Sequence, residues 1–123
     1  MKKIFLIFMA TSLWAQPPEW NVDSTDYEHV MSLTAVVFNE EIASDDILGA
    51  FNEQNECVGV SVPMDIPFGP FAGQKAFLTQ IYSNSFSGGE TIHFQFYNQE
   101  LDIVYSILES IVFIQDGIIG NLI

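Results

Sequence analysis

Polar and apolar residues alternate along much of this chain with a period of two. The cleanest case is Thr91–Tyr97, where Ile92, Phe94 and Phe96 fall on one side and Thr91, His93, Gln95 and Tyr97 on the other. That alternation is the mark of a strand with one face in a core and the other toward water. Val30–Phe38 is β-branched and apolar with Ser32 and Thr34 interleaved, which predicts a second strand. Ile47–Asn52 and Glu56–Val62 read as short strands around Glu53-Gln54-Asn55, a hairpin. Ala76–Ser83, Asp102–Ile107 and Ser110–Ile114 continue the series, and Gly117–Ile123 is a weak last strand.

The connections carry their own signals. Asp23-Ser24-Thr25-Asp26 is rich in side chains that bond their own backbone. Asn39–Asp46 is an acidic connection, while Asn84–Gly89 and Asn98–Leu101 are turns. Pro63–Lys75 breaks the alternation with three prolines and two glycines and reads as a long loop. No segment repeats its apolar residues at a helical period. Seven to eight short, closely spaced strands predict an all-β fold, an Ig-like antiparallel β-sandwich.

The first residues do not fit that pattern. Lys2-Lys3 is followed by an apolar run, Ile4–Trp14, that ends on the small residue Ala15. This is the layout of a signal peptide, residues 1–15, cleaved ahead of Gln16. The run is too short to span a bilayer, which takes about 20 apolar residues. The sequence therefore predicts a secreted or cell-surface protein with one domain, residues 16–123, and no membrane insertion after cleavage.

Charge narrows the partners. Two of the three basic residues, Lys2 and Lys3, lie in the leader, which leaves Lys75 against 16 acids and a net charge of −15 for the exported chain. A nucleic-acid partner needs clusters of Lys and Arg, and an anionic lipid surface would repel the domain. Acidity on this scale serves solubility through self-repulsion, or else some carboxylates bind Ca²⁺, a hard cation that takes oxygen ligands. Asp45-Asp46 is the candidate Ca²⁺ site, with a solvated turn as the competing reading.

Candidate catalytic chemistry is sparse. The chain has no Gly-rich phosphate loop, zinc-type Cys/His spacing or Gly-x-Ser-x-Gly elbow. Cys57, the single cysteine, forms no internal disulfide and reads as a small apolar group in a strand. His93, on the polar face of its strand, reads as solvated or hydrogen bonded. The sequence thus points away from an enzyme. For ligand binding, Phe68 and Phe71 stand on the segment stiffened by Pro63, Pro67 and Pro70, with both rings folding inward to cap the core as the competing reading, and Tyr97 could stack on a ligand or close the sandwich edge. The partner on these grounds is an extracellular protein or a glycan, the latter implying a calcium-stabilised carbohydrate-binding domain. Gly49 and Gly59, in mid-strand, predict a close backbone approach or a bulge.

A wider pattern runs through the chain in order: Trp20-Asn21-Val22, Tyr27 through Met31 to Ala35, Asp46-Ile47-Leu48-Gly49-Ala50-Phe51, Glu56-Cys57-Val58-Gly59-Val60, Gly89-Glu90-Thr91-Ile92-His93-Phe94, Tyr97, and Val104-Tyr105. It resembles a small β-sandwich module of bacterial secreted and cell-surface proteins, often ones with a type IX secretion sorting tail. The resemblance implies an accessory or adhesion-type unit and carries over no catalytic residues.

Overall fold

The computed structural model describes residues 18–36, 42–84 and 89–120. The expected signal peptide and its cleavage junction lie outside these residues, as do Val37, Phe38, Glu40, Glu41 and the tip of the Asn84–Gly89 turn.

Two four-stranded sheets form, and the alternating segments supply them. Strands β1 (His29–Ala35), β4 (Pro63–Asp65), β5 (Lys75–Ser83) and β8 (Ile118–Ile119) make the first, in the order β4-β5-β1-β8. Strands β2 (Ile47–Phe51), β3 (Cys57–Ser61), β6 (Thr91–Asn98) and β7 (Ile103–Val112) make the second, in the order β3-β2-β6-β7. All pairs are antiparallel except β1 with β8, which run parallel through Ser32↔Ile118 and Leu33↔Ile119. The architecture is an all-β sandwich.

The core is the set of inward positions. Met31, Leu33 and Ala35 of β1 and Phe77 and Ile81 of β5 meet Leu48, Ala50, Ile92, Phe94 and Phe96 of the other sheet. Phe77 and Phe96 touch edge to face across the sheets, ring centroids 6.0 Å apart. Each buried side chain of this size contributes about 1.5–3 kcal/mol by leaving water. The hydroxyls of Ser61 and Thr79, near the core, satisfy each other at 2.7 Å between Oγ and Oγ1.

Three segments differ from the sequence reading. The strands expected over Asp102–Ile107 and Ser110–Ile114 merge into one, β7, which ends at Val112. Its pairing with β6 steps from Phe94↔Ile107 to His93↔Ser110, so Leu108 and Glu109 form a bulge that does not break the ladder. The Pro63–Lys75 segment begins as a strand, because Pro63, at a sheet edge, needs no N–H. The last strand is short and parallel to β1.

Gly49 and Gly59 both lie at close approaches. A Cβ on Gly49 would stand 2.7 Å from Trp20 Cε3, and one on Gly59 would stand 2.8 Å from the Gln80 carbonyl oxygen of the facing sheet.

The registers sort the connections into two ends. Ala35 at the end of β1 pairs with Phe77 near the start of β5, and Ile47 at the start of β2 pairs with Tyr97 near the end of β6. The Phe77–Phe96 contact joins these two places. One end of the sandwich therefore carries the β1–β2, β4–β5 and β6–β7 connections.

Candidate functional site

That end is held together by buried polar groups. Asp46, fully buried, accepts a hydrogen bond from Ala43 N at Oδ2 (2.8 Å) and another from Gln99 N at Oδ1 (2.9 Å). One carboxylate thus ties the β1–β2 connection to the β6–β7 turn. Tyr97, also buried, donates its hydroxyl to Asp102 Oδ1 at 2.6 Å. The hydrogen bond to Asp102, with burial second, pushes the Tyr97 phenol up to about 12. Asn98 Oδ1 accepts from Leu101 N at 3.0 Å and closes the turn.

The β4–β5 loop is equally fixed. Ile66 is buried, and its N–H and C=O pair with Gln74 O (2.9 Å) and Gly73 N (3.0 Å). Inside that closure Ala72 N donates to Gly69 O and Gln74 N to Phe71 O. Gly69 (φ 90°) and Gly73 (φ 88°) take the left-handed backbone that such tight reversals need. Lys75 Nζ meets Asp65 Oδ1 at 2.6 Å across the base, an exposed pair worth about 0–1 kcal/mol.

On this frame Phe68 is 67% exposed and Phe71 is half-buried. The structure brings Phe68 and Phe71 onto one loop and places Asp45, Asp46 and Tyr97 in or beside the neighbouring connections. Their roles divide. Phe68 presents its ring to water, whereas the Tyr97 ring is buried and its hydroxyl engaged. Asp45 is exposed, while each oxygen of Asp46 accepts a backbone N–H. Among the described residues no group of three or more His, Cys, Asp or Glu is gathered as a metal site would need. Leu101, 56% exposed on the β6–β7 turn, is a further apolar residue at this end that the sequence reading passed over. The signal was present: a leucine between Glu100 and Asp102 in an otherwise polar turn.

The opposite end is more closed. His93 stacks on Phe51 (centroids 5.8 Å, 23°), its Nε2 lies 3.1 Å from Asn55 Oδ1, and Trp20 meets Phe51 edge-on at 5.4 Å. Cys57 is half-buried with its thiol on the Gly59 carbonyl at 3.4 Å, and burial pushes the thiol pKa up, away from thiolate reactivity.

Comparison with protein-family models, with curated proteins and with solved structures finds no significant match.

Proposed function

We propose that this protein is an exported, non-enzymatic binding or adhesion module of a bacterial cell-surface or secreted protein, and that it engages an extracellular protein through the sandwich end that carries Phe68. The observation that carries this reading is the Phe68 ring, 67% exposed on a loop closed by its own backbone hydrogen bonds. A large aromatic held in water has no role in the core, and a stiff loop loses little conformational freedom when a partner covers it. Leu101 extends the apolar surface at the same end.

Export rests on the leader-like Met1–Ala15 segment. The Ig-like reading is supported by strand order. With β1 as strand B, the order β4-β5-β1 corresponds to D-E-B and β3-β2-β6-β7 to C′-C-F-G. The three connections at the Phe68 end are then the B–C, D–E and F–G loops, where sandwich modules commonly bind.

The test is a screen of the purified protein against arrays of extracellular proteins and of glycans, run in parallel with a Phe68→Ser variant. A protein ligand weakened tenfold or more by Phe68→Ser is the expected result. Ligands found only among the glycans would replace the protein partner with a sugar. No ligand sensitive to Phe68 on either array would remove the reading.

A further inference from the structure

Charge is distributed unevenly over this fold. Among the described residues only the acids Asp65 and Glu109 fall within strands. Most of the others lie toward the two ends, with Asp116 beside Val30 at the β8 edge, while β1 from Val30 to Ala35 and β5 from Ala76 to Ser83 carry no charged residue on the outer face of the β4-β5-β1-β8 sheet. Three rows make up that part of the face, and the pairing register sets them. Leu78 of β5 lies beside Thr34, Gln80 beside Ser32 and Ile118, and Tyr82 beside Val30. Leu78 is 41% and Ile118 76% exposed, and Tyr82 is stacked at 6.0 Å by the Tyr27 ring, which also packs against the core and has Glu56, Asp26 and Glu90 near its phenol. The middle row is joined internally by Ser32 Oγ to Gln80 Oε1 at 3.3 Å.

We propose that this face docks a second copy of the same chain. The rows form an apolar–amide–apolar sequence that is nearly symmetric about Gln80–Ser32. A two-fold axis along that middle row turns the strand direction over. It sets the Leu78 row of one copy against the Tyr82 row of the other, and Gln80 against Gln80. That is the self-complementarity an isologous contact requires. Charge points to the same occupant, because a basic partner would be drawn to the acidic ends, whereas a neutral face is where two like-charged molecules can meet.

Size sets the strength. Only β1 (seven residues) and β5 (nine) run the length of this face, flanked in part by the short β4 and β8, so at about 4.8 Å per strand and ~3.3 Å per residue the face is at most roughly 19 by 23 Å. That is smaller than the ~800 Å² per partner of a standard interface, so the dimer is weak and reversible. Its salt dependence has a definite sign. At low salt the acidic ends of the two copies repel through solvent over distances longer than the ~8 Å screening length reached at physiological ionic strength. Added salt removes that repulsion and tightens the dimer.

The experiment is sedimentation of the purified protein over a concentration series reaching ~1 mM, the range in which contacts of about 4 kcal/mol become populated. It is run in low and in high sodium chloride. Dimer that grows with concentration and is several-fold tighter in high salt is expected. Gln80→Glu and Gln80→Lys should each be monomeric at low salt, since each sets like charges face to face. Their equimolar mixture should recover a dimer tighter than either variant alone. Gln80 is exposed, and an unchanged circular dichroism spectrum serves as the folding control. A protein that stays monomeric throughout, a dimer indifferent to Gln80→Glu, or a dimer weakened by salt would each overturn the proposal.

Discussion

The Trp20 indole sits on the bare backbone of Gly49, so close that a Cβ there would meet Cε3 at 2.7 Å and Cδ2 at 3.0 Å. The segment ahead of β1 is thereby seated on the outer face of the second sheet, and Phe51 meets the same indole edge-on. Gly49→Ala should lift Trp20 from its seat and destabilise the protein by about 1–3 kcal/mol, the usual range for overpacking. The two residues are coupled, so adding Trp20→Ala to Gly49→Ala should cost less than the sum of the single changes. Urea unfolding of the four proteins in the cycle, followed by circular dichroism, measures this. Additive losses would mean that the indole does not rest on Gly49.

Asp46 is expected to act as a structural tie. Replacing it with alanine leaves the Ala43 and Gln99 amides without their acceptor, and each unsatisfied partly buried group costs about 1–3 kcal/mol. Asp46→Ala should lower stability by about 2–4 kcal/mol. Asp46→Asn keeps an acceptor oxygen and should lose about half as much. Chemical denaturation midpoints distinguish the two, and equal losses would show that the carboxylate charge matters rather than its two bonds.

How far the sequence discloses this protein depends on whether the signal is local. Period-two alternation marks β6 well because Ile92, Phe94 and Phe96 are inward and nothing interrupts them. The same rule divides β7, since Leu108-Glu109 looks like a break when only one strand is visible, and the bulge that accommodates it exists only in the pairing with β6. Glycine in mid-strand announces that something comes close, but not that Trp20 comes close to Gly49 and the Gln80 carbonyl to Gly59. At the candidate site, proline and aromatic content singles out the Phe68–Phe71 loop. Tyr97 and Asp46 are another matter, because both engage Asp102, Gln99 or Ala43 through turn geometry that residue type does not disclose.

Alkaline pH offers a direct probe of Tyr97. An unfolded tyrosine ionises near pH 10, and this one in the folded protein at about 12. Below pH 10 both states hold the proton. As pH rises above 10 the unfolded chain releases it first, so the folded state loses stability until the folded phenol also ionises near 12. Tyr27, raised by burial with nearby carboxylates adding, moves in the same direction. Tyr97→Phe should flatten the fall in thermal midpoint between pH 10 and 12, and an unchanged slope would exclude the Asp102 hydrogen bond as its source.

Glu109 stands on the inward side of an outermost strand, and its Oε1 is buried with no hydrogen-bond partner among the described residues. An inward charge at a bulge is a known defence of an exposed strand edge. Glu109→Val should raise the unfolding free energy by about 1 kcal/mol, since removing a buried unpaired polar group is favourable. The same change should make the protein associate through β7 and scatter light on concentration. A variant that is both more stable and as soluble as the parent would deny the carboxylate its protective role.

The parallel pair of β1 and β8 also fixes when the molecule can finish folding. The first strand takes a partner from the far end of the sequence. Asp116 N donates to Val30 O at 2.9 Å and Ser32 N to Gly117 O at 2.9 Å, joining positions more than eighty residues apart. Such distant pairings make folding slow relative to a helical domain of the same length. On the ribosome β1 must wait, one edge unpaired, until residue 119 has emerged, so the first sheet closes only after the other strands have been made.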